Sequence, residues 1–167
     1  MKKSAVPFSY CPYCGSKQIP REFSLSYIDC LNCGQRVYFN SKPSVVAIIC
    51  RNREFLLVRD NTDFWDLPGG FLNNGESPQV GLRRELKEEL NARIKILSLI
   101  DAVVDVYGES EFCLNLFYEA ALLNSRIRPC NEILEFGWFT KRLLPPIKYR
   151  STALIIGRFA SKMSKLL

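Results

Sequence analysis

At 167 residues, 47% of them hydrophobic and 24% charged, the chain suits one compact domain carrying a small extra module. It contains no histidine, which excludes every mechanism that needs an imidazole base, nucleophile partner or metal ligand. The formal charge is +6, or about +4 if four cysteines bind zinc as thiolates; that balance suits a phosphorylated small molecule as well as nucleic acid.

The first forty residues are rich in turn-formers and short of aliphatic side chains. A core of that size needs a staple. The staple is Cys11-x2-Cys14 followed, fifteen residues on, by Cys30-x2-Cys33, the spacing of a tetrahedral four-thiolate Zn2+ site. Gly15 and Gly34 follow the two pairs, where a knuckle turn calls for a positive φ. Four sulfurs leave no open coordination position, so this zinc is expected to be structural. Lys2, Lys3, Lys17, Arg21 and Arg36 with Tyr10, Tyr13 and Tyr27 could form a nucleic-acid surface, although a stabilising or dimerising ribbon is the simpler reading. The remaining cysteines, Cys50, Cys113 and Cys130, lie in apolar or strand contexts and are expected in the core. An odd total of seven cysteines argues against a disulfide framework. "MKKSAVPFSYCPYCG" lacks the apolar run of about 7–15 residues found in a signal peptide. No segment reaches the roughly 18 apolar residues that cross a membrane. A cytoplasmic protein without a membrane partner is expected.

From Ser44 the texture changes, and residues 41–167 are expected to form the second domain, after a ribbon at residues 1–40. "SVVAIIC" (Ser44–Cys50) and "EFLLVRD" (Glu54–Asp60) are apolar runs bounded by turn residues and predict a strand pair. "WDLPGGFLNNGES" predicts a loop with a brief extended piece. Ser77 is a candidate N-cap and Pro78 suits the first helical position, opening a helix that runs to about Leu90. Leu82, Leu86 and Leu90 recur at i+4 as its core stripe, and Glu85, Glu88 and Glu89 centre about a quarter-turn away. Like charges at i, i+3 and i+4 repel by a few tenths of a kcal/mol per pair. A divalent cation and a diphosphate opposite that face would give the cluster a purpose, because Mg2+ takes oxygen ligands from a few carboxylates plus substrate phosphates. Downstream, "IKILSLIDAVVDV" and "EFCLNLFYEAALL" predict two longer strands, "ILEFGWFT" another, and "TALIIGRFASKMSKLL" a C-terminal helix. Strands outnumber helices without alternating with them, so an α+β sandwich is expected over a doubly wound sheet.

The acidic helix belongs to a longer pattern. Gly70, Glu76, Arg84, Glu85, Leu86, Glu88 and Glu89 fall at the spacing G-x5-E-x7-R-E-U-x-E-E-x-G-U, with U bulky and aliphatic. The stretch resembles the Nudix box. Asn91 stands in place of its glycine and Ala92 in place of its last aliphatic residue; Asn is well able to replace Gly at a left-handed helix end. With the cysteine pairs, "VYFNSKPSVVAIIC", "WDLPGGF", "NEILEFGWF" and "LLPP", the chain from the ribbon to near the C-terminus looks like the NADH pyrophosphatase branch and related zinc-ribbon Nudix hydrolases.

That resemblance implies an α/β/α sandwich with a mixed sheet behind a four-cysteine ribbon. It implies hydrolysis of a nucleoside diphosphate linked to a moiety X (ADP-ribose, FAD or NADH type) to NMP and X-phosphate. It also implies Mg2+ or Mn2+ as cofactor and a homodimer. Glu85, Glu88 and Glu89 match the metal-binding glutamates of the catalytic cluster. Gly69 matches a position whose carbonyl ligates metal, and Glu132 matches a further acidic ligand from a distant loop. Glu76 and Arg84 match the pair that braces the loop-helix-loop. Trp65, Phe71 and Trp138 could stack on a substrate ring, with core packing as the competing role for each. The SQPWPxPxS signature of NADH pyrophosphatases has no counterpart in "LSLIDAVVDVYGESEFCLN", which shifts weight toward ADP-ribose, FAD or another ADP compound. A proline that marks many ADP-ribose hydrolases is also missing there. Two other readings stand beside this one: a nucleic-acid-binding or regulatory protein using the fold as a nucleotide sensor, and removal of NAD caps from RNA.

Overall fold

The computed structural model describes residues 9–17, 27–107 and 111–163. The chain divides into two compact units, Met1–Ser41 with Val106–Phe112, and Lys42–Asp105 with Cys113–Leu167. In the first unit β1 (Tyr27–Asp29) pairs antiparallel with β2 (Arg36–Tyr38), in the register Ile28↔Val37. Arg36 closes this short ladder with a two-pronged ion pair to Asp29, at 2.7 and 3.1 Å, and lays its guanidinium 3.9 Å over the Tyr27 ring. Arg36 and Tyr27 are thus engaged within the ribbon, while Tyr10 and Tyr13 are exposed. Lys2, Lys3 and Arg21 of the expected basic surface lie outside the described residues. So do residues 164–167 of the expected C-terminal helix.

The second unit is built around two strands that are apolar on both faces, in Lys42–Ile48 and Glu54–Arg59. β3 (Lys42–Ile48), β4 (Cys50–Arg51), β5 (Glu54–Arg59), β6 (Trp65–Asp66) and β7 (Gly69–Phe71) precede the helix α1 (Pro78–Leu90). After it come β8 (Ile94–Tyr107), β9 (Glu111–Leu122), β10 (Glu135–Thr140), a short 3-10 turn at Lys141–Leu143, and α2 (Arg150–Met163). One mixed sheet has the order β7-β3-β9-β8, with β3 parallel to β9 and antiparallel to β7. A second has the order β10-β5-β4, with β6 paired to β5. Because side chains alternate across a strand, Val45, Ala47, Leu56, Val58, Tyr118 and Ala120 pack with Leu82, Leu86 and Leu90 of α1. Their neighbours Ile48, Phe55, Leu57 and Phe117 pack with Ile155, Ile156 and Phe159 of α2. This is the expected α/β/α sandwich. Leu82, Leu86 and Leu90 are fully buried, each contributing about 2 kcal/mol.

The expected strand pair is smaller than the apolar runs suggest. The chain bends at Ile49, and only Cys50–Arg51 pairs with β5, through a tight turn in which Asn52 and Arg53 have φ of 50° and 65°. The backbone of β3 is taken instead by β7 and β9, because a strand apolar on both faces belongs inside a sheet covered by helices. Of the cysteines expected in the core, Cys113 is buried, whereas Cys50 and Cys130 are half-buried.

Candidate active site

The site grows from one arginine. Ser77 stands at the N-cap of α1 and Pro78 at its first position, although the Ser77 hydroxyl makes no capping bond. Two turns in, Arg84 donates to both oxygens of Glu76, at 2.9 and 2.8 Å, to Glu85 at 2.7 Å, to Glu88 at 3.0 Å and to the Phe71 carbonyl at 3.0 Å. Glu76 also accepts the Asn73 N–H at 3.0 Å, tying the loop before the helix to the helix itself. The Arg84 guanidinium beside Glu76, helped by the Asn73 N–H, holds that carboxyl at about 2, against an ordinary 4.5. Ionised Glu76 therefore favours the fold above about pH 4.5 and loses that contribution as the pH falls toward 2. Glu76→Gln is expected to flatten this part of an acid-unfolding curve followed by circular dichroism. An unchanged acid limb would remove Glu76 from the bracing role.

The glycines are there to let backbone and carboxylates meet. A Cβ on Gly70 would lie 2.6 Å from the Glu85 carboxyl carbon. Gly69 has φ +148°, and a Cβ there would lie 2.1 Å from the Val45 carbonyl oxygen. Its N–H donates to Glu89 at 2.9 Å. Burial pushes Glu89 up to about 8; the Gly69 N–H opposes this, and the nearby charges of Glu85, Asp66 and Glu132 add to it. Burial also raises Glu85, with Arg84 pulling the other way. The donor set is all oxygen. It already holds one cation, the guanidinium, between Glu85 and Glu88, while Glu89 pairs with no cation among the described residues. A hard divalent cation fits such a set.

The far end of α1 brings in the remaining acid. A helix leaves its last four carbonyls without partners, and here each finds one. Lys87 accepts from the Asn91 N–H at 3.0 Å, Glu88 from the Asn131 side-chain amide at 3.0 Å, Glu89 from the Cys130 N–H at 2.8 Å and Leu90 from the Arg128 N–H at 3.0 Å. Asn91 is left-handed, with φ 49°, a conformation Asn tolerates better than most residues. The segment after β9 thus docks on α1 and carries Glu132 close enough for its charge to act on Glu89.

Residues 40–155 match the model of the NUDIX domain family. The chain belongs to this family. Among curated relatives, the NAD-capped RNA hydrolase NudC of Pseudomonas fluorescens is 29% identical over 144 residues, covering 83% of this chain and 50% of that protein. NudC of Escherichia coli is 25% identical over 143 residues, covering 82% and 54%. The chain spans about half the length of the curated relatives it matches. Among solved structures, a NUDIX hydrolase from Nitrosomonas europaea superposes with a TM-score of 0.77 at 26% identity, over 95% of this chain and 93% of that one. A UDP-X diphosphatase gives a TM-score of 0.67 at 23% identity, over 76% and 66%, which speaks for the fold alone.

Within the Nudix unit the three aromatic candidates have different surroundings. Trp65 lies edge-on to Phe139, with ring centroids 4.8 Å apart, and its backbone bonds to Pro146 and Lys148. Trp138 carries the Arg51 guanidinium 3.8 Å over its ring and packs on the α1 core. Phe71 stands exposed at the end of β7. Two residues beside the site escape sequence reasoning. Asp66 is buried and accepts from the Thr152 hydroxyl at 2.6 Å and the Leu67 N–H at 2.8 Å, and burial pushes its carboxyl up to about 6. Asn131 is the other. Both are fastened to distant segments, so no local spacing marks them.

In the ribbon, the sulfurs of Cys11, Cys14, Cys30 and Cys33 lie within 4.8 Å of one another. Cys11 and Cys33 are 3.9 Å apart, and Cys14 and Cys30 are 3.7 Å apart. A tetrahedron with zinc–sulfur bonds of about 2.3 Å separates its sulfurs by about 3.8 Å, so the cluster fits that ion. Both knuckles are built alike. Gly15 and Gly34 donate to the carbonyls of Cys11 and Cys30 at 2.9 Å, with φ of 69° and 72°.

Proposed function

We propose that this chain hydrolyses the diphosphate bond of a nucleoside diphosphate linked to X, releasing NMP and X-phosphate. The observation that carries this reading is the convergence of Gly69 and Glu132 on Glu89, in the last turns of α1 that also carry Glu85 and Glu88. On this reading Glu85, Glu88, Glu89, Glu132 and the Gly69 carbonyl hold Mg2+ or Mn2+. Bound there, a divalent cation supplies charge neutralisation for the phosphates and orientation for the attacking water. Glu76 and Arg84 keep the loop and helix in register. Arg84 also neutralises Glu85 and Glu88 until the cation enters. Phe71, the most exposed of the three aromatic candidates, is the first choice for ring stacking, ahead of Trp65 and Trp138.

Four further elements belong to the proposal. Residues 1–40 form a ribbon stapled by structural Zn2+, ahead of a Nudix domain at 41–167. The thiolates call for a reducing, cytoplasmic setting, and the working unit is a homodimer. The substrate is an ADP compound of the ADP-ribose, FAD or NADH type. Removal of NAD caps from RNA is the second reading, favoured by the NudC relatives, which are named for that activity. A panel of ADP-ribose, FAD, NADH, diadenosine polyphosphates, nucleoside triphosphates and NAD-capped RNA, run with Mg2+ and with Mn2+, tests both. AMP release from an ADP-linked compound is expected. No turnover of any member, together with salt-sensitive RNA binding, would favour a nucleic-acid-binding or sensor protein instead.

A further inference from the structure

The segment that carries Glu132 reaches α1 with three donors, from Arg128, Cys130 and Asn131, and only the last is a side chain. Asn131 and Glu132 are the central residues of a four-residue turn closed by the Ile133 N–H on the Cys130 carbonyl at 3.1 Å. One end of the turn is fixed by the Cys130 N–H on Glu89, and the other by Ile133, which is buried in the α1 core. Between them Asn131 has φ 52°. Its amide nitrogen sits 3.0 Å from the Glu88 carbonyl. The direction in which the turn presents Glu132 therefore depends on what holds Asn131.

We propose that Asn131 is a positioning residue whose amide, by donating to the Glu88 carbonyl, aims Glu132 at the Glu85–Glu88–Glu89 cluster and so sets the affinity of that cluster for a divalent cation. The inference rests on the metal-site reading above. Three requirements meet at this position: tolerance of a left-handed backbone, a short side chain, and an N–H donor for a helix carbonyl. Glycine offers only the first. Aspartate offers the first two but sets an acceptor against an acceptor. Asparagine offers all three.

Mn2+ binding to the whole chain without substrate, measured from the electron paramagnetic resonance signal of free Mn2+, tests this. Asn131→Gly keeps the backbone unstrained, and far-UV circular dichroism before titration confirms its fold. It is expected to weaken Mn2+ binding about tenfold, the lower range for residues that orient metal ligands. Glu132→Gln is expected to do the same, and the double variant to lose little more than either alone, because both act through one carboxylate. Asn131→Asp provides the second variant. If position governs, it binds Mn2+ more weakly despite its added negative charge. Tighter binding by Asn131→Asp, additive losses in the double variant, or unchanged affinity in Asn131→Gly would each overturn the proposal while leaving the metal site standing. No Mn2+ binding by the unaltered chain would overturn both.

Discussion

If the proposed function holds, Glu88→Gln is expected to give a folded protein that releases AMP from an ADP-linked compound about a thousandfold more slowly than the unaltered chain, the scale of losing a ligand to an essential cation. The structure indicates why chemistry and fold should separate here. Glu88 projects from an exposed position on α1 and has one side-chain partner, Arg84, at 3.0 Å. Arg84 keeps its bonds to Glu76 and Glu85 when that contact changes. Glutamine has nearly the helix propensity of glutamate, and its neutral amide relieves repulsion from Glu85. The melting temperature should stay within a few degrees while turnover collapses. Undiminished AMP release by Glu88→Gln, with Mg2+ or Mn2+ present, would sink the proposed site.

Cys30→Ser is expected to act the other way, lowering melting temperature or solubility before it touches hydrolysis. The only buried hydrophobic residues described in the ribbon are Cys11, Ile28 and Cys30. A cluster so small cannot hold two knuckles and a three-residue ladder against chain entropy. Four thiolates on Zn2+ contribute about 10–16 kcal/mol of apparent binding energy in comparable small modules, far more than carboxylates on a cation that keeps its water. Gel-filtered protein should retain about one zinc per chain yet need added Mg2+ or Mn2+ for turnover. Metal content by mass spectrometry, melting curves and a low-temperature rate assay of Cys30→Ser would check this division. Zinc removal that spared the fold but stopped hydrolysis would reverse the assigned roles.

What was legible in the sequence was whatever depends on short spacings. Ser77-Pro78, the leucines at i+4 and the glycine replacement Asn91 delimit α1, and the helix runs Pro78–Leu90 between them. The two CxxCG pairs give two matching knuckles. Partner choice was less legible. "SVVAIIC" and "EFLLVRD" read as strands, yet nothing in them says that β3 turns to β7 and β9 while β5 turns to β10. Asp66 and Asn131 were missed for the same reason: their partners Thr152 and Glu88 lie 86 and 43 residues away.

The parallel pairing of β3 with β9 also orders events during folding. Ser44 and Asn115, opposite each other in that pair, are 71 residues apart. The leucine face of α1 waits on Tyr118, Ala120 and Ile133 to complete its core. A chain still being synthesised and ending short of β9 therefore presents "VVAII", uncharged and β-branched at four of its five positions, with no strand on its parallel side. Such a stretch is where nascent chains stick to one another. Closing a loop of that length before any parallel contact forms makes the step slow relative to helix formation. The last third of the chain thus governs whether the first two thirds fold or aggregate, and chaperone dependence during synthesis should be read from β3 rather than from the acidic helix.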